Sequence, residues 1–130
     1  MKLKHSPKGL ELIQQRQKSD CGVACLAMLS GLLYEDAREI LEYKRGGLYP
    51  CELLEALEDM GFDCVESKRI PKANSALVAL SWENGKGHFG VWDHRRSKFL
   101  DPVYGVIKKQ DLLDCVEIDH IWIIKRWRKL

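Results

Sequence analysis

The sequence lacks a long hydrophobic run, a pattern of paired cysteines and a strong excess of either charge. No apolar stretch approaches the ~20 residues that a membrane-spanning helix requires. No hydrophobic segment follows the basic N-terminal residues, so we expect no secretory signal, a cytoplasmic location and no integral membrane segment. A net charge of +2 over 130 residues likewise gives no reason to expect a nucleic-acid partner.

Cysteine is present, but not in the arrangement of a disulfide framework or a zinc ribbon. The count is odd and no CxxC pair occurs; the five cysteines lie at positions 21, 25, 51, 64 and 115. Free cysteines are most often small buried residues, and we expect this of most of them. No downstream Cys/His pair completes a metal site with Cys21 and Cys25, so we predict neither a metal nor a cofactor.

Helical spacing gives way to strand-like spacing along the chain. Three helices are predicted: from Cys21 to Gly31, over Tyr34–Tyr43 and from Pro50 to Gly61. Strands are predicted over Phe62–Ile70, Ala76–Trp82, His88–Asp93, Lys98–Val103 and Glu117–Trp127, with a short helix over Gln110–Cys115.

Helices followed by strands, without βαβ alternation, are typical of an α+β fold. We therefore predict N-terminal helices packed on a mainly antiparallel sheet. The absence of repeats and linkers predicts a single domain over 1–130. Its predicted parts are an entry arm (1–14), a helical part (15–61) and a sheet part (62–130).

Cys21 stands at the start of the most apolar predicted helix. Ser19 or Asp20 precedes it as a candidate N-cap, and the unpaired amides of a helix N-terminus favour a thiolate there. Gly22 is expected to leave space where a substrate approaches. These features make Cys21 a candidate nucleophile. Cys25, one turn further along the same helix, is predicted to be a core residue.

A cysteine nucleophile requires a base, normally histidine, and a third group that orients the base. His88 opens the segment HFGVWD, and Asp101 ends the next predicted strand. If the strands pair around a turn centred between His94 and Arg95, His88 lies directly opposite Asp101, with Cβ atoms about 5 Å apart. A slip of one residue would place the two side chains on opposite faces of the sheet.

The other histidines are weaker candidates for the base. His5 lies in the arm and His94 lies at the predicted turn, where Asp93 is expected to be solvated. His120, with Asp119 beside it, is the strongest competitor. Because His120 begins a long apolar strand, we interpret it as a strand-end or core residue.

These segments resemble the bacteriocin-processing cysteine peptidases, which cut leader peptides after a Gly-Gly pair. QRQKSDCGVACLAML is similar to that family's catalytic segment, in which Gln and five further residues precede Cys-Gly and a helix of small residues. Gln15 has this spacing from Cys21. GHFGVW resembles the family's His-bearing strand, and LDPVYG resembles its Asp-Pro…Gly segment. The likeness extends from about Gln15 to Gly105.

The resemblance implies a papain-like fold and a cysteine peptidase with Cys21, His88 and Asp101 as its triad. Gln15 is then expected to donate a hydrogen bond to the oxyanion, together with the Cys21 backbone amide. This arrangement needs no cofactor.

Neighbouring residues offer alternatives and additions to this site. Gln14 and Gln17 are alternatives for the oxyanion role, although we expect both to be solvated residues of the arm. Four aromatic residues are candidates for the lining of the substrate cleft: Trp82, Phe89, Trp92 and Tyr104.

The resemblance leaves the substrate open. Typical family members are the cytosolic N-terminal domains of ABC exporters, whereas no membrane spans or ATPase follow in this sequence. We therefore expect a stand-alone bacterial domain with a peptide or protein substrate, and a separate transporter or target protein as a candidate partner. An amidase or deamidase, acting as effector or toxin, would need the same four groups. A catalytically silent peptide-binding module is the third hypothesis.

Overall fold

Helices come first along the chain and most strands follow. A computed structural model describes residues 10–16, 19–43, 47–82 and 87–126, without the side chains of Trp82 and Arg126. The helices are α1 (Cys21–Ser30), α2 (Tyr34–Ile40), α3 (Pro50–Asp59) and α4 (Lys109–Leu113). The strands are β1 (Phe62–Ser67), β2 (Ala76–Trp82), β3 (Gly87–Asp93), β4 (Lys98–Asp101), β5 (Gly105–Lys108) and β6 (Val116–Arg126).

The strands form one six-stranded sheet in the order β1-β6-β2-β3-β4-β5. Each neighbouring pair is antiparallel. The long β6 lies between β1 and β2 and pairs with both, so the last strand of the chain completes the middle of the sheet. These features confirm the predicted α+β class. In the described parts of the chain, no helix has the length and apolar character to cross a membrane.

The central helix α1 is enclosed by protein, because it carries almost no polar side chains. All its residues from Gly22 to Ser30 are buried, and it packs on β3 and α2. Gly31 ends the helix in a left-handed conformation (φ 80°), as predicted. Asp20 is the N-cap residue, but its side chain makes no capping hydrogen bond. The prediction that Asp20 is a candidate for the N-cap position is confirmed, whereas the expected hydrogen bond from its side chain to the helix is absent.

The sheet separates two hydrophobic clusters. The cluster on the helix side joins α1 and α3 to β2, β3 and β4 through residues such as Leu26, Leu57, Leu77 and Leu100. The cluster on the other face contains Leu80, Trp92, Phe99 and, from α4, Leu112. Both faces of β2 and β3 are therefore buried, so the residues at their ends have fixed surroundings.

Strand β5 was not predicted from the sequence. The predicted strand over Lys98–Val103 is too long, because the Asp101 carboxylate accepts the backbone amides of Val103 (2.8 Å) and Tyr104 (3.1 Å). This turn reverses the chain after Asp101, and Gly105 starts β5 with φ 86°. The Asp-Pro-x-x-Gly sequence was the signal that indicates such a turn.

Three more predicted elements end earlier than expected, among them α4, which stops at Leu113 instead of Cys115. The second helix stops at Ile40 instead of Tyr43, because Glu42 adopts a left-handed conformation (φ 51°). Strand β1 stops at Ser67, whose hydroxyl bonds to the backbone of Arg69. The predicted end of the last strand at Trp127 lies outside the described residues.

A buried carboxylate holds the entry arm against the sheet. The Leu10 amide donates to Asp93 Oδ2 (3.1 Å), and the Arg95 amide donates to Asp93 Oδ1 (3.1 Å). Asp93 is fully buried, so the expectation that it is solvated is wrong. These donors compensate the loss of hydration. Directly after the arm, the Gln15 amide donates to the carbonyl of Pro102 (2.9 Å).

The core of the helix side gives a stability prediction. Leu77 is 0 % exposed, so Leu77→Ala is expected to lower the free energy of unfolding by roughly 2–5 kcal/mol through lost burial and a residual cavity. Urea unfolding followed by circular dichroism measures the change. The control Val65→Ala, at a side chain that is 43 % exposed on β1, should change it by about 0.5 kcal/mol or less. Equal effects of the two changes would contradict this description of the core.

Candidate active site

A hydrogen bond joins His88 and Asp101, although the predicted strand register is wrong. The turn between β3 and β4 is longer than expected, and Val91 pairs with Leu100. Asp101 is therefore opposite Gly90 instead of His88. A shift of two residues keeps side chains on the same face, so His88 and Asp101 are diagonal neighbours. His88 Nε2 lies 3.1 Å from each carboxylate oxygen of Asp101.

Burial and partners together determine the charge of this pair. The side chain of His88 is 10 % exposed and that of Asp101 is 1 % exposed. Burial lowers the pKa of His88, but hydrogen bonds and charge interactions with Asp101 and Cys21 outweigh it and raise the pKa to about 9. Burial also raises the pKa of Asp101, but His88 and the amides of Val103 and Tyr104 outweigh that effect and lower it. The pair is therefore an imidazolium and a carboxylate at neutral pH.

Cys21 is the second hydrogen-bonding partner of His88. The two side chains share a hydrogen bond, and because Nε2 faces Asp101, the remaining nitrogen Nδ1 is the one available to the sulfur. Cys21 is partly exposed, and both Cys21 and His88 line a cavity of about 1140 Å³. The thiol, the imidazole and the carboxylate are thus connected by hydrogen bonds, and the thiol end lies at a cavity that opens to solvent.

Gly22 has a different role from the expected one. A Cβ atom built on Gly22 would lie 2.9 Å from Leu48 Cδ1 and 3.4 Å from Leu53 Cδ1. The residue is buried against the segment that starts α3, so its small size lets this segment approach the helix start. The expectation that Gly22 leaves space for substrate is wrong. Leu48 and Pro50, which belong to this segment, line the cavity instead.

The far wall of the cavity contains His120 and Asp119. The pairing of β2 with β6 is interrupted by a bulge at Ala79/Leu80, where Asp119 is the additional residue. His120 lies within β6, is exposed, stacks on Trp122 (5.4 Å between ring centroids) and lies 3.5 Å from Glu66. The interpretation of His120 as a strand-end or core residue is therefore wrong.

The predicted aromatic lining is only partly found. Phe89 lines the cavity. Trp92 instead packs on Phe99 in the second hydrophobic cluster (4.9 Å between ring centroids), and Tyr104 is exposed at the turn after β4. The side chain of Trp82 lies outside the described residues.

Gln15 lies beside the turn that carries Asp101. Its backbone bond to Pro102 joins it to the residue after Asp101, and its side chain is partly buried. Gln14 is exposed, as expected for an arm residue. Gln17 and His5 lie outside the described residues.

The remaining cysteines have different surroundings. Cys25 is fully buried, as predicted, and burial raises the pKa of its thiol. Burial and two neighbouring carboxylates raise the pKa of Cys64 to about 12. Cys51 and Cys115 are exposed, and Cys21 and Cys64 are only half-buried, so the expectation that most of the cysteines are buried is wrong. Among the described residues, no group of three His, Cys, Asp or Glu side chains has the geometry to hold a metal ion.

Comparison with solved structures gives the same fold. A double-glycine motif protease from an AMS/PCAT transporter, solved in complex with the leader peptide, has a TM-score of 0.69 at 19% identity, covering 95% of this chain and 96% of its own. The peptidase domain of Streptococcus ComA, a bi-functional ABC transporter involved in a quorum-sensing pathway, has a TM-score of 0.68 at 16% identity. The match covers 89% of this chain and 98% of that domain. The peptidase domain of Streptococcus mutans ComA has a TM-score of 0.63 at 19% identity, and the match covers 87% of this chain and 97% of that domain. No curated protein matches the chain.

The fold is that of this class of peptidase domains, and a thiol, an imidazole and a carboxylate lie together at its cavity. Within this class, residues 10–111 match the model of the Peptidase C39 family. The chain belongs to this family, whose members are cysteine peptidases. The resemblance identified from the sequence is confirmed.

The His88 pair predicts a pH dependence of stability. The pKa of His88 rises from 6.5 to about 9 on folding, so its contribution to stability is complete below pH 6.5 and is lost as pH rises through about 9. The difference in free energy of unfolding between wild type and His88→Gln, measured from pH 6 to 10, should shrink over this window. His120→Gln, at an exposed histidine on β6, is the matched control. A difference in free energy of unfolding between wild type and His88→Gln that stayed constant from pH 6 to 10 would contradict the raised pKa of His88.

Proposed function

We propose that this chain is a peptidase in which Cys21, His88 and Asp101 form the catalytic triad. The observation that supports this most directly is the continuous series of hydrogen bonds from the Cys21 thiol through His88 to Asp101. Thiolate and imidazolium stabilise each other when they are held in contact and out of bulk water. The buried Asp101 carboxylate keeps Nε2 protonated and turns Nδ1 toward the sulfur.

The proposed reaction has two stages. The Cys21 sulfur attacks the carbonyl carbon of the peptide bond, while the thiol proton resides on His88. His88 then delivers that proton to the nitrogen of the departing amine, leaving a thioester. A water molecule attacks the thioester and gives one proton to His88, which returns it to the sulfur as the acid product leaves. Asp101 orients the ring throughout and is not itself protonated.

The tetrahedral intermediate requires hydrogen-bond donors for its oxyanion. We propose the side-chain amide of Gln15 and the backbone amide of Cys21 for this role. The position of Gln15 next to Pro102, directly after Asp101, supports its half of the proposal. The Cys21 amide belongs to the first turn of α1, where backbone N–H groups have no partner within the helix.

The cavity supports a leader-like peptide as the substrate. Leu48 and Pro50 line the cavity together with Cys21, and Leu48 packs closely on Gly22, the residue after the nucleophile. Glycine residues would fit there with least obstruction. The solved relative with a bound leader peptide is a double-glycine motif protease, and we propose the same substrate class here. A transporter or other target protein that supplies the peptide is the proposed partner, and the cytoplasm is the proposed location.

The test uses synthetic peptides that contain a central Gly-Gly pair, with matched peptides that carry Ala-Ala instead. Wild-type protein should cleave the Gly-Gly peptides, and Cys21→Ala should show no turnover while its unfolding curve remains similar. Cys115→Ala, at an exposed cysteine, is the control and should retain activity. Mass spectrometry distinguishes two fragments from a change of about one dalton on an intact peptide, which would instead identify deamidation. Full activity in Cys21→Ala would refute the mechanism.

Substitutions of the other triad members should differ in severity. His88→Ala removes the base and is expected to lower kcat by about 10²–10⁴-fold. Asp101→Asn keeps the base but loses its orientation and charge compensation, so its effect should be smaller. Steady-state kinetics on the same Gly-Gly peptide measures both. An Asp101→Asn protein as active as wild type would identify a different orienting group.

The pairing with His88 also predicts selective alkylation. At pH 6, iodoacetamide should label Cys21 faster than the other four cysteines, because its sulfur is paired with the imidazole of His88. Peptide mapping by mass spectrometry gives the rate at each site. Exposed Cys51 and Cys115 are internal controls. If they reacted as fast as Cys21, the chain would fit a silent peptide-binding module better than an enzyme.

A further inference from the structure

Asp20, the residue before Cys21, has a buried carboxylate that caps no helix. It is 0 % exposed and makes no capping hydrogen bond to α1. One of its oxygens, Oδ2, accepts the backbone amide of Arg16 (3.0 Å) and the hydroxyl of Tyr34. A buried carboxylate is costly unless donors surround it, so these contacts determine the course of the segment that leads from Arg16 to Cys21.

Tyr34 is a permanent donor to this carboxylate. Burial, together with the hydrogen bond and charge of Asp20, raises the pKa of Tyr34 to about 12. Its hydroxyl therefore stays protonated over the whole range in which proteins function. The Arg16 guanidinium lies 4.3 Å from the centroid of the Tyr34 ring and pairs with Glu35. Helix α2 thus holds both Asp20 and Arg16 in place.

Gln15 is positioned by the same set of contacts. Its own amide donates to Pro102, beside Asp101, and the amide of the next residue, Arg16, donates to Asp20, beside Cys21. The backbone of Gln15 is therefore held between the two ends of the proposed triad. Loss of either contact would let Gln15 move relative to the sulfur.

We propose that Asp20 is a positioning residue that acts through Gln15 and sets the geometry of the oxyanion hole. The inference rests on the proposed function, in which Gln15 donates to the oxyanion. Asp20 is fully buried, so its effect on substrate reaches the reacting carbonyl only through its neighbours.

Asp20→Asn tests the proposal, because it replaces the charged acceptor of the Arg16 amide and the Tyr34 hydroxyl with a neutral one. We expect kcat on the Gly-Gly peptide to fall about tenfold, because hydrogen bonds to a charged acceptor are roughly twice as strong as those to a neutral one, with KM within about twofold because the cavity walls are unchanged. Tyr34→Phe removes one donor only and should lower kcat less; it also serves if Asp20→Asn does not fold. Asp36→Asn, an exposed aspartate on α2, is the matched control and should keep wild-type kinetics.

Two readouts separate positioning from a general structural loss. Alkylation of Cys21 by iodoacetamide involves no oxyanion, so its rate should be the same in wild type and Asp20→Asn. In the Gln15→Ala background, Asp20→Asn should cause little further loss, because the group through which it acts is absent. Parallel losses of alkylation and turnover, or additive effects of the two substitutions, would overturn the inference. If wild type cleaved no peptide, the proposed function would fail and this inference with it, whereas additive effects in an active enzyme reject the inference alone.

Discussion

The packing of α1 on β3 is the contact on which the rest of the site depends. The helix is apolar on all sides and buried from Gly22 to Ser30, so it has no alternative to a central position against the sheet. Its first residue is then held at the end of β3 where His88 lies. Cys21 and His88 are far apart along the chain, and the burial of apolar surface between helix and sheet brings them together. The hydrogen bond between them then fixes the relative orientation of the two side chains.

Three buried aspartates organise the loops around this contact. Asp20 accepts an amide from the segment before α1, Asp93 accepts one from the entry arm, and Asp101 accepts two from the turn before β5. A carboxylate has several acceptor positions in a fixed plane, so a single buried side chain can hold loops that lack regular pairing. Of these three aspartates, Asp101 is the one that contacts the imidazole of His88.

Much of the site followed from local sequence. Cys21 at the start of a buried helix, His88 at the start of a strand and Asp101 at the end of the next are positions that periodicity and turn residues indicate without any tertiary information. The predicted register was wrong by two residues, yet the pair remained on one face because side-chain direction in a strand repeats every two residues. An error of one residue would have separated them.

The residues that sequence reasoning misplaced are those whose surroundings come from distant segments. Asp93 was expected to be solvated but is buried under the entry arm, Gly22 was assigned to substrate but packs on Leu48, and His120 lines the cavity and stacks on Trp122. Local patterns determined which residues are helical, extended or reactive, since those properties depend on near neighbours. Only the tertiary structure decided which polar groups meet, because hydrophobic packing of helix on sheet brings together positions that no spacing in the sequence relates.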